Sequence, residues 1–130
     1  MKSAALIVLA MASASCGPVI AQTSASERQI CRATIAALNG REPSIMQIDG
    51  AQGPVVFVSY VRPSDGSLWV SKCRVQGTRV MWGNRDGRWR DHAMDEVVEY
   101  RATGAEVIIT IKSNGQVSAT KTYAVKDLGQ

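Results

Sequence analysis

The segment Gly83–Met94 (GNRDGRWRDHAM) gathers the side chains of this chain best suited to chemistry: Arg85, Asp86, Arg88, Trp89, Arg90, Asp91 and His92, the sole histidine. Guanidinium groups fork onto carboxylates and phosphates, and an indole offers a face on which sugars, bases or peptide side chains stack. A loop of this composition on a rigid scaffold reads as a recognition surface, with Arg85, Arg88, Trp89, Arg90 and His92 as the candidate binding residues. A plainer reading stands beside it. Trp89 folds back as a plug over one end of the core, and the Arg and Asp side chains pair among themselves, at ~0–1 kcal/mol per exposed pair.

Catalytic constellations are harder to assemble. Asp91 and His92 are adjacent, so in an extended segment their side chains diverge and form no oriented pair. A Ser-His-Asp arrangement needs a serine from elsewhere, and no nucleophile elbow is visible. Paired-carboxylate hydrolysis would draw on Asp86, Asp91, Asp95, Glu96 and Glu99, yet such a cluster also reads as a charged strand edge. One histidine serves a metal poorly, and phosphate-cradling glycine motifs are missing, so neither a metal nor a cofactor is expected.

The first 21 residues set the compartment. Lys2 gives a short positive start, Ala4–Ala14 an apolar stretch, Gly17-Pro18 a helix break, and Val19-Ile20-Ala21 the small or modest residues of a cleavage site. This is the pattern of a cleaved export signal, too short for a membrane span. Residues 22–130 then form one domain, periplasmic or secreted. In the alternative, Cys16 is the lipidated residue of a lipoprotein, although Ser13 stands where such a signal has Leu.

The formal net charge is +4, and cleavage removes Lys2 from it. Ten of the basic residues are Arg. Trp82, Trp89 and the nearby arginines could stack on and neutralise a nucleic acid, but the small charge and the export signal argue against one.

The elements that hold the segment follow from periodicity. Ser24-Ala25-Ser26-Glu27 reads as a capping box with Ser24 as the cap. Behind it Ile30, Cys31, Thr34, Ile35 and Leu38 share one helical face, while Arg28, Gln29, Arg32 and Ala36 take the other. Asn39-Gly40 and Pro43 end the helix, predicted over 24–39.

After Pro43 the chain reads as strands and tight turns: Val55–Arg62, Ser67–Gln76, Arg79–Gly83, Glu96–Thr103, Glu106–Lys112 and a last strand through Tyr123 and Val125. The turn Pro63-Ser64-Asp65-Gly66 sets Tyr60 opposite Trp69, Val58 opposite Ser71 and Val56 opposite Cys73. The two-residue turn Gly77-Thr78 sets Val75 opposite Val80 and Cys73 opposite Trp82. Alternation then puts Val56, Val58, Tyr60, Trp69, Cys73, Val75, Val80 and Trp82 on one face. Ser113-Asn114-Gly115, read as a three-residue loop, aligns Ile111 with Val117 and Ile109 with Ala119.

The expected fold is α+β: one N-terminal helix on an antiparallel meander of about six strands, a curved sheet or partly open barrel, with the helix over Trp69, Cys73 and Trp82. Cys31 on the helix and Cys73 on the sheet are then placed to form a disulfide. The expected function is that of a non-enzymatic binding module of the bacterial envelope, recognising a protein or an anionic component. The alternative is a small hydrolase or hydrolase inhibitor with its site near Asp91 and His92.

Overall fold

The computed structural model describes residues 25–129; residues 1–21, read from sequence as an export signal, with Cys16 among them, and Ser24 lie outside that range. Helix α1 spans Glu27–Asn39. It is capped by Ser26 rather than Ser24. Ser26 Oγ accepts the Gln29 amide at 3.2 Å, and Gln29 Oε1 accepts the Ser26 amide at 2.9 Å. Both serines have an acidic or amide residue three positions on, and the reciprocal box closes on the second pair.

A short 3-10 turn, Pro43–Ile45, leads into seven strands: β1 (Gln47–Gln52), β2 (Val55–Val61), β3 (Leu68–Gln76), β4 (Arg79–Asn84), β5 (Val97–Ala102), β6 (Glu106–Ser113) and β7 (Gln116–Ala124). Each pairs antiparallel with the next, in the spatial order β1 to β7. The result is an open seven-stranded sheet with α1 packed on one face, not a barrel. The additional strand is β1, whose sequence QIDGAQ is mostly polar and carries a register shift between Ile48 and Gly50. A polar edge strand with an irregular ladder leaves no period-two apolar signal.

The central register is the one that alternation specifies. Tyr60 lies opposite Trp69, Val58 opposite Ser71, Val56 opposite Cys73, Cys73 opposite Trp82 and Val75 opposite Val80. The β6–β7 register differs. Asn114 (φ 52°) and Gly115 (φ 76°) are both left-handed and alone form the turn, so Ser113 pairs with Gln116. Asn-Gly meets the requirement of a two-residue hairpin for positive φ at both positions. An irregularity after Lys112↔Val117 then brings Ile111 opposite Ala119 and Ile109 opposite Lys121.

The core lies between α1 and the sheet. The Cys31–Cys73 disulfide, with Cα atoms 5.7 Å apart, joins them at a point where both residues are fully buried. Around it are Ile30, Ile35, Val56, Val58, Val80, Val98, Val107 and Ile109. Ala36 is fully buried too, against the expectation from the helical wheel, and shares a small cavity with Lys121 and Tyr123 of β7. Leu38 is only partly buried. At the C-terminus a second 3-10 turn, Val125–Asp127, buries Leu128, and the Arg32 guanidinium and the Gln29 amide donate to the Leu128 and Gly129 carbonyls.

Strands β4 and β5 share only the pairs Arg79↔Glu99 and Val80↔Val98. The outer half of β4 is therefore left to residues 85–96, which return along it: Arg90 N–H donates to Trp82 O at 2.8 Å.

Candidate functional site

Helix α1 runs antiparallel to β3, with Ile30 near Thr78 and Leu38 near Trp69. From the disulfide outward, the helix extends from Cys31 to Asn39, roughly 12 Å at its rise per residue. Strand β3 travels a similar roughly 13 Å from Cys73 back to Trp69. The helix therefore ends level with Trp69 and does not cover it: Trp69 is 38% exposed, whereas Cys73 on the same face is fully buried. This corrects the expectation that α1 covers Trp69 as it covers Cys73.

A cleft of about 420 Å³ opens at this end. Its floor is the helix-facing side of three strands, Tyr60, Trp69, Ser71, Trp82 and Asn84. Leu38 and Asn39 at the end of α1 form one wall, and Arg90, Met94, Asp95 and Glu96 form the other.

Each indole of the floor is associated with an arginine that is itself fixed by an aspartate. Trp69 Nε1 donates to Ser67 Oγ at 2.8 Å, and the Arg62 guanidinium lies 4.8 Å from its ring centroid. Asp65 organises both partners, accepting the Arg62 fork and, at 2.6 Å, the Ser67 hydroxyl. Over Trp82 lies Arg90, 5.8 Å from the centroid, and Arg90 faces Asp95 at 3.6 Å. Asp95 also accepts both arms of Arg88, at 2.7 and 3.0 Å, and the His92 amide at 3.0 Å. These charge-assisted bonds hold Asp65 and Asp95 far below the usual carboxylate range, chiefly through Arg62 and Arg88, and raise those two arginines in return. Both carboxyls remain ionised and act as anchors. Trp82 Nε1 is buried with no acceptor among the described residues, and an unmet buried donor costs ~1–3 kcal/mol.

The candidate residues named from sequence are dispersed. Arg90 lines the cleft. Arg88 stands behind it, anchoring the loop through Asp95. Trp89 does not plug the core: it packs against Lys72, whose ammonium is 4.7 Å from the ring centroid. Because Cys73 faces the helix, alternation places Lys72 and Trp89 on the opposite side of the sheet. Arg85 faces its neighbour Asp86, at 3.5 Å. His92 and Asp91 are exposed and do not line the cleft, and His92 Nδ1 accepts the Met94 amide at 3.2 Å.

Tyr60, Trp69, Asn84 and Asp65 are site residues that sequence reasoning did not nominate, and Asp95 was weighed there only as one of five hydrolytic carboxylates, not as an anchor. A signal for the first two was present: they are cross-strand partners at the far end of the apolar face, where Tyr60 is buried and Trp69 is left exposed. The anchoring roles of Asp65 and Asp95 gave none, since Arg62 and Arg88 sit three and seven residues away around turns.

Among the described residues no group of three or more His, Cys, Asp or Glu side chains is placed to hold a metal ion, and no helix is long and apolar enough to cross a membrane. No protein-family model, curated protein or solved structure matches this chain.

Proposed function

We propose that this chain is an exported, non-enzymatic binding protein of the bacterial envelope that takes its ligand in the cleft between the end of α1 and strands β2–β4. The observation that carries this reading is Trp69, a large indole left exposed yet fixed in place by Arg62 and Ser67. Ordering a flexible side chain on binding costs ~0.5–1.5 kcal/mol, and an indole already held by a hydrogen bond and a stacked cation avoids much of it. Rigid aromatic anchors are the common currency of recognition surfaces.

The ionic pairing favours the cleft over the arginine loop as the place of recognition. Arg88 and Arg90 both face Asp95, so the loop presents little uncompensated positive charge to an anionic partner. The hydrolytic alternative gains no support from Asp95, which Arg88 keeps ionised and so unfit to donate a proton, nor from His92, which stands outside the cleft.

The test is retention of envelope material on the immobilised exported protein. The wild type and an Arg85→Ala variant should retain the same ligand, and Trp69→Ala should lose it. Equal retention by all three would remove the cleft from the account.

A further inference from the structure

We propose that the ligand of this cleft is a neutral saccharide, with one sugar ring stacked on the cleft side of Trp69; this rests on the binding role proposed above. Four features of the cleft converge on that class.

The electrostatics disfavour an anion. The cleft is lined by one cation, Arg90, and two carboxylates, Asp95 and Glu96. Asp95 is shared between Arg90 and Arg88, and Glu96 adds a second carboxylate to the lining. The C-terminal end of α1, with its partial negative charge, forms the opposite wall at Leu38 and Asn39. A phosphate or carboxylate entering here would meet two lining carboxylates and a single lining guanidinium that already faces one of them.

The aromatic faces disfavour a free cation. A quaternary or primary ammonium would seek the indole faces, but Arg62 and Arg90 already lie over Trp69 and Trp82. An entering cation would have to compete with guanidinium groups tied to Asp65 and Asp95.

The polar lining suits hydroxyl groups. Ser71, Asn39 and Asn84 offer neutral donors and acceptors, and Glu96 supplies an acceptor. Hydroxyls both donate and accept, so they fit a lining of mixed polarity without a net charge.

The arrangement also suits a ring. Trp69 is pinned at its Nε1, and Arg62, which covers one of its faces, is not among the residues that line the cleft. The C–H face of a sugar ring stacks on an indole, while its equatorial hydroxyls reach outward to polar side chains of the Ser71 and Asn84 kind. The volume of about 420 Å³ falls within the usual range of small-molecule sites and accommodates a short oligosaccharide segment.

The experiment is a titration of the exported protein, followed by indole fluorescence and calorimetry, with four probes. Chitotetraose and cellotetraose represent neutral saccharides, polygalacturonate an anionic one, and choline a cation. At least one neutral oligosaccharide should bind, with affinity unchanged between low and high salt. Trp69→Ala should weaken it by about tenfold or more, Trp69→Phe by less, with both variants folded and disulfide-bonded. The proposal is overturned if neither neutral saccharide binds. It is overturned equally if polygalacturonate or choline binds instead, in a salt-sensitive manner that Trp69→Ala abolishes. Should the saccharides fail while envelope retention still depends on Trp69, the ligand class is wrong and the binding role stands; should both fail, the binding role falls too.

Discussion

The two ends of the helix-facing side of the sheet are built from the same strands by the same alternation, yet they have opposite fates. At one end Cys73, Val56 and Val80 lie under α1, almost wholly removed from solvent and joined to it through Cys31. At the other, Trp69 continues the same face to the level where the helix ends and, with the partly buried Trp82 beside Cys73, forms part of the floor of an open cleft. Period-two patterning decides which face a residue occupies; the length of the covering element decides whether that face is core or site. The packed end is held by burial and a covalent bond, the open end by Asp65 and Asp95 acting through arginines.

The largest expected effect falls on the packed end. Replacing both Cys31 and Cys73 by Ser releases a cross-link spanning 42 residues of sequence, worth about 4 kcal/mol in the chain-entropy description. Denaturant titration should show a loss of that order, while the folded fraction keeps its ligand affinity. A selective loss of binding at unchanged stability would mean that the two ends are not separable.

A smaller effect is expected where the loop crosses the sheet. A Cβ at Gly83 would meet Arg88 O at 2.6 Å, so Gly83→Ala must push the backbone of the returning loop away from β4. The expected cost is about 1–3 kcal/mol, read as a lowered thermal midpoint. Because Arg88 and Arg90 move with that backbone, ligand affinity should fall as well, unlike in the cysteine variant. Unchanged stability and affinity together would show that this part of the loop is not seated as described.

The anchors give a pH signature. The Asp95 carboxyl is held below its ordinary value of 3.8, first by the Arg88 hydrogen bonds. A carboxylate depressed in the folded state contributes its full stabilisation above the unfolded value and loses it as pH falls towards the folded one. Melting temperatures should therefore separate wild type from Asp95→Asn at neutral pH, and the two should converge as pH falls below about 4. Curves that stay parallel down to acid pH would contradict the anchoring role of Asp95.

What could be read from the sequence follows the same division. The packed end was legible because its signals are local or periodic: the register from Tyr60↔Trp69 to Val75↔Val80 follows from two turns and strict alternation, and the disulfide from the faces on which Cys31 and Cys73 fall. Polar β1 was not legible, since an edge strand with a bulge has no apolar period. The β6–β7 register was misread because Asn114-Gly115 forms a two-residue turn and the bulge follows later in the ladder. At the open end, composition drew attention to Gly83–Met94, of whose nominated binding residues only Arg90 lines the cleft. Trp69 was assigned to the right face but not to its uncovered end, because the reach of α1 over β3 is a three-dimensional quantity. The pairing of Arg88 with Asp95 likewise depends on how the loop closes.

The account turns on the cleft, and not the outward loop, being where the ligand sits. Amide and indole chemical-shift mapping during titration with the ligand retained by the protein tests this most directly. The largest shifts are expected at the Trp69 indole N–H and at the amides of Asn39, Ser71 and Asn84, with little change at Arg85, Trp89 and His92. Shifts concentrated at Arg85, Trp89 and His92, with the Trp69 indole unmoved, would contradict it.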